Sequence, residues 1–589
     1  MIFHAYKKLL SILDNKETKK LNVILFFNFF LFILETLSLA SIPIFLLLIT
    51  RPDFFYEKLR LIFNDNYIFN YFFLIKLELL AFIFLAFILL IFFIKNLFLI
   101  FISFYQGNYL KNLKIRLAEK LFKFYVNSSY LYHVKNNPSK ISRNIHDEIN
   151  GVEIFLINFT TIIRELQTIF IIFILLAINN FVLTIAIFVF FTSISFIYIK
   201  ILKPFLKKKV EQNQHLRKNI IQIIYETFGS IKDIKILSKQ KETINFFKDN
   251  IHKYEDNYFH FSFLERIPRF VLEFLSIAVI TAVFLFLFRI EKSFYNYFPT
   301  MALLVVGVIR FIPAFNAITL GSYYLKIFSP SIESISKELL EMDKSVQNNK
   351  IETISKNNIH PNFVNNNNNC YIMIDNICFS YLDSKIASIQ NLSLNINEGD
   401  IVGITGPTGS GKSTLFHLML GLLIPDSGNI FYKKRSIYND LSSWRRELAY
   451  VSQNIYLLDS TIKRNITFNF FNEKIDEKKL DKAIKIAELE ETIMSLPYGL
   501  ESKVGSDGLR LSGGEKQRIA IARAIYIDPN IIFMDESTSA LDSDTESKIM
   551  KNLKEYFNKK TIVLIAHRKT TIDKCDKVWS LKNGQLFNI

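Results

Sequence analysis

The string Gly406-Pro407-Thr408-Gly409-Ser410-Gly411-Lys412-Ser413 fits G-x-x-x-x-G-K-[ST]. It follows a strand-like run, 401–405, and opens a helical one, 414–423, the context that a phosphate-binding loop requires. Glycines let backbone N–H groups curl around phosphate oxygens, and the helix N-terminus adds partial positive charge. Gly406, Thr408, Gly409, Ser410, Gly411 and Thr414 would form the ATP cradle. Lys412 is spaced to reach the β- and γ-phosphates, and Ser413 to ligate Mg²⁺. Downstream, Ile531-Ile532-Phe533-Met534-Asp535-Glu536 is a buried-strand run ending in two carboxylates. Asp535 would hold the magnesium through water, and Glu536 would polarise the attacking water.

Between these two strings lies Leu511-Ser512-Gly513-Gly514-Glu515-Lys516-Gln517-Arg518. Here the sequence resembles the ABC ATPase family, whose signature reads LSGGQ; Glu515 stands where that family usually has Gln. The resemblance implies further roles, in order along about 200 residues. Tyr381, in Phe379-Ser380-Tyr381, matches the aromatic residue that stacks on adenine. Gln453, in Tyr450-Val451-Ser452-Gln453, matches the Q-loop, with a part in both catalysis and metal binding. Asp542, in Ser539-Ala540-Leu541-Asp542, matches the D-loop, and His567 the switch histidine. In such ATPases two domains meet head to tail, so Ser512, Gly513, Gly514 and Glu515 of one would close over ATP held by Lys412 and Ser413 of the other. One chain carries one ATPase domain, so a partner is implied. With every catalytic position intact, the partner expected is a second copy, with a heterodimer containing a degenerate partner as the alternative.

The rest of the chain must position this chemistry. Half of its 589 residues are hydrophobic, 59 are Phe, and the mean hydropathy is +0.23, too apolar for an ordinary soluble protein. Apolar stretches able to cross roughly 30 Å of hydrocarbon recur near 21–49, 71–105, 154–177, 179–200, 270–289 and 299–327. The first is too long for a signal-peptide core and lacks a small-residue cleavage site, so it reads as a retained span. Residues 1–20 put apolar residues at helical spacing beside lysines, which suits an amphipathic elbow helix on the inner membrane surface. Domain expectations are therefore 1–20 elbow, 21–341 transmembrane domain, 342–370 polar linker ending in Asn365–Asn369, and 371–589 ATPase domain.

Charge sets orientation. The segment 106–153 carries eight Lys/Arg against four Asp/Glu, and 200–269 carries fifteen against eight, whereas 178–180 has none. Long basic loops belong in the cytosol, with both termini. The formal net charge of +17 is then accounted for by topology, and no nucleic-acid partner is expected. Tyr130–Asn136 and Tyr225–Leu237 are the expected transverse tips of the two cytosolic loops. Pro52 opens a segment in which Phe55, Leu59, Ile62 and Phe63 can share one helical face at the outer leaflet; an ordinary connecting loop fits as well. Cys370, Cys378 and Cys575 show no metal spacing and read as reduced cytosolic thiols.

Ionisable residues near spans are the clue to cargo, because a cation at the bilayer centre costs roughly 2.5–3.5 kcal/mol on insertion scales. Lys95, Arg269 and Arg310, on spans two, five and six, would form a cationic site for a phosphate-bearing headgroup, unless Glu35, Glu78 or Glu273 pairs with them. The fused order, membrane domain then ATPase domain, resembles the ABC exporters. Phe32-Ile33-Leu34-Glu35-Thr36, Ile267-Pro268-Arg269 with Leu272-Glu273, and Ile309-Arg310-Phe311-Ile312-Pro313 resemble bacterial lipid-linked oligosaccharide flippases; Ala317 lacks a possible second cation on span six. The expected fold is a six-helix membrane domain of the type I ABC exporter fold with a cytosolic α/β P-loop ATPase domain. The expected function is ATP- and Mg²⁺-dependent flipping of a polyprenyl-pyrophosphate oligosaccharide across a bacterial inner membrane. A lipid A-type or multidrug exporter is the alternative, and an ATP-gated channel or signalling ABC protein is the alternative of another class.

Overall fold

The computed structural model describes residues 2–63, 76–179, 181–290, 298–356, 370–381, 387–470, 474–505, 508, 511–556, 560–566 and 568–588. The chain divides into two compact units, Met1–Val126 with Pro138–Asp343, and Asn127–Asn137 with Lys344–Ile589.

The first unit is helical. Its helices are α1 (Ile2–Ile12), α2 (Asn15–Thr50), α3 (Pro52–Phe63), α4 (Leu77–Asn127), α5 (Tyr130–Lys135, which belongs to the second unit), α6 (Pro138–Arg143), α7 (Ile149–Asn179), α8 (Phe181–Gly229), α9 (Ile231–Ile236), α10 (Gln240–Ile290) and α11 (Phe298–Lys356). Six of these are long, and among the described residues four segments are long and apolar enough to cross a membrane: Asn15–Thr50, Leu77–Asn127, Pro138–Ile178 and Leu304–Met342. The remaining long helices, α8 and α10, carry the fourth and fifth apolar runs. The elbow ends earlier than residue 20. Asp14 caps α2, with Glu17 reaching back to the Asp14 N–H at 3.0 Å, so residues 15–20 already belong to the first long helix. Arg116 of α4 fixes this corner, binding Glu17 at 2.6 Å, Asp14 at 3.2 Å and the Ile12 carbonyl at 2.9 Å. The segment after Pro52 is helical, and Phe55 is buried against Leu48 and Leu80.

Helices α7 and α11 pack with their backbones close together. A Cβ at Gly151 would collide with Ser331, and one at Gly321 would lie 2.9 Å from Ile162. The Gly321–Ile162 crossing falls within the apolar runs 299–327 and 154–177, where small residues let lipid-embedded helices approach. Helix α11 runs on to Lys356 into the polar stretch; the asparagine run 365–369 lies outside the described residues. Of the two expected loop tips, the first is α5 and the second narrows to α9, because 225–229 continue α8.

The second unit is a two-sheet α/β domain. A four-stranded antiparallel sheet has the order β2-β1-β4-β5, with β1 Cys370–Phe379, β2 Ile389–Asn397, β4 Ser427–Tyr432 and β5 Arg435–Ser436. A six-stranded sheet has the order β10-β9-β3-β8-β7-β6, with β3 Ile401–Thr405, β6 Leu448–Val451, β7 Ile531–Asp535, β8 Thr561–Ile565, β9 Lys577–Lys582 and β10 Gln585–Asn588. All its pairs are parallel except β9–β10. Strands β7 and β8 are buried at every residue, as strands covered by helices on both faces must be. The helices are α12 (Lys412–Met419), α13 (Leu441–Arg446), α14 (Ile462–Thr467), α15 (Glu477–Ile486), α16 (Glu490–Met494), α17 (Gly513–Tyr526), α18 (Ser543–Tyr556) and α19 (Lys569–Ile572). Helix α5 packs within this unit: Tyr130 and Leu131 join its core cluster, and the Tyr130 ring lies 5.1 Å from that of His417 on α12.

Candidate functional site

The phosphate loop joins β3 to α12. Gly406, Gly409 and Gly411 have φ of +149°, +80° and +103°, values that L side chains rarely adopt, and a Cβ at Gly411 would sit 2.6 Å from the Ser388 carbonyl. These are the conformations a glycine loop that wraps a phosphate requires. Lys412 is 7% exposed, and its Nζ donates to the carbonyls of Gly406 at 2.8 Å and Pro407 at 2.9 Å. Burial lowers its pKa, while Glu536 and Asp535 pull the other way. Ser410 Oγ is buried without a partner, an orphaned donor inside the loop. A cradle with an unpaired hydroxyl, a buried ammonium and a following helix fits a nucleotide phosphate chain. Ser413 is exposed at the first turn and Thr414 is buried, with its Oγ1 3.5 Å from the Tyr381 hydroxyl. Tyr381 is held edge-on to Phe379, with centroids 5.1 Å apart. Thr408 is exposed on the loop.

The neighbouring strand supplies the acids. Asp535 is 5% exposed at the end of β7, and the Tyr450 hydroxyl lies 3.4 Å from its Oδ2. Burial, with Asp535 next in weight, raises the Tyr450 pKa, so the phenol stays a neutral donor. Glu536 has φ +47°, a left-handed conformation of the kind stored at functional turns, and Gln453 Nε2 donates to its Oε2 at 2.9 Å. Lys412, Asp535, Glu536 and Gln453 are therefore gathered at one place. Among the described residues no three His, Cys, Asp or Glu side chains form a metal cluster. A magnesium ion here would take Ser413, Asp535 and Gln453 beside phosphate oxygens, an oxygen donor set that suits it.

A separate cleft is lined by Ser512, Gly513, Gly514, Arg518, Ala540, Leu541, Asp542 and Thr545, with no phosphate-loop residue among them. Ser512 caps α17, and Glu515 bonds back to it: Ser512 N–H to Glu515 Oε2 is 2.6 Å, and Ser512 Oγ to the same oxygen is 2.8 Å. Asp542 caps α18 through the Thr545 N–H at 2.9 Å, which lowers its pKa. His567 lies outside the described residues.

In the first unit the structure brings Arg310 and Lys95 to Glu35. Arg310 bonds Glu35 Oε1 through Nε at 2.6 Å and Nη2 at 2.5 Å, and Thr168 donates to Glu35 Oε2 at 2.9 Å. Glu35 is 4% exposed. Lys95 lies 4.6 Å from the Phe92 ring centre and within electrostatic range of Glu35 and Arg310. Arg269 is exposed on α10. Sequence reading missed a second ionic pair, Arg164–Glu165 at 3.1 Å on α7; ionisable residues inside the apolar run 154–177 were the signal that points to it. It also missed Tyr450, whose spacing from Asp535 nothing local reveals.

Residues 389–539 match the ABC transporter family, and residues 25–307 match the ABC transporter transmembrane region. An ATP-dependent lipid A-core flippase of Ralstonia nicotianae is 24% identical over 82% of this chain and 80% of that one. A protein of the same description from Cupriavidus metallidurans is 38% identical, but the matched part spans only 36% of each chain. A solved bacterial Atm1-family ABC exporter with ATP bound has the same fold, with TM-score 0.64 at 20% identity over 97% of this chain and 95% of that one. With a transmembrane region and an ATP-hydrolysing domain in one polypeptide of type I exporter fold, the chain belongs to the ABC transporter family as an exporter-type half-transporter.

Proposed function

We propose that two copies of this chain flip a lipid-linked anionic substrate, a polyprenyl-pyrophosphate oligosaccharide, from the inner to the outer leaflet of a bacterial inner membrane, driven by ATP hydrolysis. The observation that carries the substrate reading is the ionic layer of Arg310, Glu35 and Lys95 within the spans. Glu35 neutralises one of the two cations, so the layer keeps a net positive charge. A diphosphate is the kind of ligand able to compete with Glu35 for the planar fork of Arg310.

Bound ATP and Mg²⁺ would supply the phosphoanhydride and the charge that stabilises its cleavage. Lys412 and the loop N–H groups bind the phosphates, and Tyr381 backs the adenine. Ser413, Asp535 and Gln453 hold the metal. Glu536 orients the attacking water, with Gln453 fixing its carboxylate, and His567 takes the role of the switch histidine. Ser512, Gly513 and Gly514 of the second copy complete each site. The exposed apolar side chains Tyr225, Phe228, Ile236 and Leu237 around α9 support a partner-dependent assembly.

A second reading, a lipid A-type flippase, is favoured by the two relatives that are ATP-dependent lipid A-core flippases. The protein reconstituted in liposomes separates the readings. Polyprenyl-pyrophosphate glycans should stimulate ATP hydrolysis and be flipped. Stimulation by lipid A or drugs instead would select the alternative, and ATP-gated ion currents would select a channel.

A further inference from the structure

The turn after β7 is braced from both sides. On one side Gln517 of α17, 5% exposed, donates Nε2 to Ser539 Oγ at 3.2 Å and accepts the Ala540 N–H at 3.0 Å. On the other, Arg568 donates Nη2 to the Ser539 carbonyl at 2.7 Å and Nη1 to the Leu541 carbonyl at 2.9 Å. Arg568 is itself anchored by Glu546 of α18, at 3.0 Å. Glu546 is 3% exposed and also accepts Thr538 Oγ1 at 2.9 Å and the Thr571 hydroxyl. The same turn begins at Glu536, whose carbonyl accepts the Ser539 N–H at 3.2 Å. One guanidinium thus ties the residue following His567 to the backbone three to five residues beyond Glu536, in the same turn that Gln517 of α17 contacts.

We propose that Arg568 is a positioning residue for ATP hydrolysis: it clamps the Ser539–Leu541 turn against α17 so that Glu536 and the Ser512 end of that helix are held in one fixed relation. Two carbonyls and a carboxylate in different directions demand a planar multi-donor group, which Arg supplies and Lys does not. Glu546 keeps that group in place, and Arg568 spares Glu546 an unpaired buried charge. The inference rests on the assignment of Glu536 above as the residue that orients the attacking water.

The test uses the full chain in lipid nanodiscs. Arg568→Ala should lower kcat about tenfold or more while the ATP dissociation constant, read with a fluorescent ATP analogue, stays within about twofold. Arg568→Lys should not restore kcat, whereas added guanidinium at low millimolar concentration should partly restore Arg568→Ala and leave Glu536→Gln inactive. Arg568→Ala combined with Gln517→Ala should lose less than the product of the single losses, since both brace one turn. An unchanged kcat, a loss that follows ATP binding alone, rescue by Lys, or multiplicative losses would each overturn the proposal. Should Arg568→Ala fail to fold, Glu546→Gln carries the same expectation of lowered kcat at unchanged ATP binding, and normal turnover there overturns it. Hydrolysis retained by Glu536→Gln sinks the Glu536 assignment separately, whatever Arg568 does.

Discussion

Gln453 donates its Nε2 to Glu536 Oε2 at 2.9 Å, linking two residues 83 positions apart at the edge of the phosphate loop. The bond fixes a carboxylate that the left-handed turn at Glu536 already aims. A group that orients water must be held in one direction, since proton transfer in the transition state falls off steeply with geometry.

Removing the Glu536 carboxylate while keeping its shape should separate binding from turnover. Glu536→Gln is expected to retain ATP binding and to lower kcat by about 100-fold or more. Single-turnover ATP hydrolysis and nucleotide trapping check both halves, and full hydrolysis would remove Glu536 from its role.

Breaking the Arg310–Glu35 pair should cost stability as well as transport. Taking one partner from an interior pair costs about 3–5 kcal/mol, because the other charge is left buried. The Arg310 side chain is 36% exposed, so the loss in Arg310→Ala should fall toward or below the low end. Glu35→Gln with Arg310→Gln should recover much of the thermal stability without recovering flipping. Differential scanning fluorimetry and a flipping assay read the two separately, and flipping that survives Arg310→Ala ends the headgroup proposal.

Glu515 takes up donors at the N-terminus of α17. Its carboxylate accepts both the Ser512 N–H and hydroxyl, at the helix end that the proposed dimer would turn toward the second copy's nucleotide. Glu515→Gln should therefore lower the KM for ATP about two- to fivefold, the factor set by roughly 0.3–1 kcal/mol for a charge at a helix terminus. An ATP titration of initial rates checks it, and an unchanged or raised KM contradicts it.

His417 should make the ATPase unit acid-sensitive. Burial lowers its pKa, its Nδ1 has no partner, and it packs against the Tyr130 ring. The folded state disfavours the protonated form, so the unfolded state takes up the proton first. Stability is retained above the unfolded value of about 6.5 and declines as pH falls below it. Between pH 7.5 and 5.5 the wild type should lose more thermal stability than His417→Gln; equal losses would rule out His417 as the cause.

What the sequence determined by itself is whatever depends on neighbours along the chain. The phosphate loop of Gly406–Ser413, the strand ending in Asp535-Glu536 and the long apolar helices are local patterns, because phosphate binding, strand burial and bilayer thickness each act over a few to a few dozen consecutive residues. Even the extent of the elbow turned on a local cap at Asp14 that the apolar periodicity of 1–20 obscured. Tertiary structure alone decided the pairings. Arg310 meets Glu35 across 275 positions, Thr168 meets the same carboxylate across 133, and Arg568 reaches Ser539 across 29. A lone arginine in an apolar run shows only that a buried charge must be compensated; which carboxylate does so is set by how the helices pack, and that is not written in any one segment.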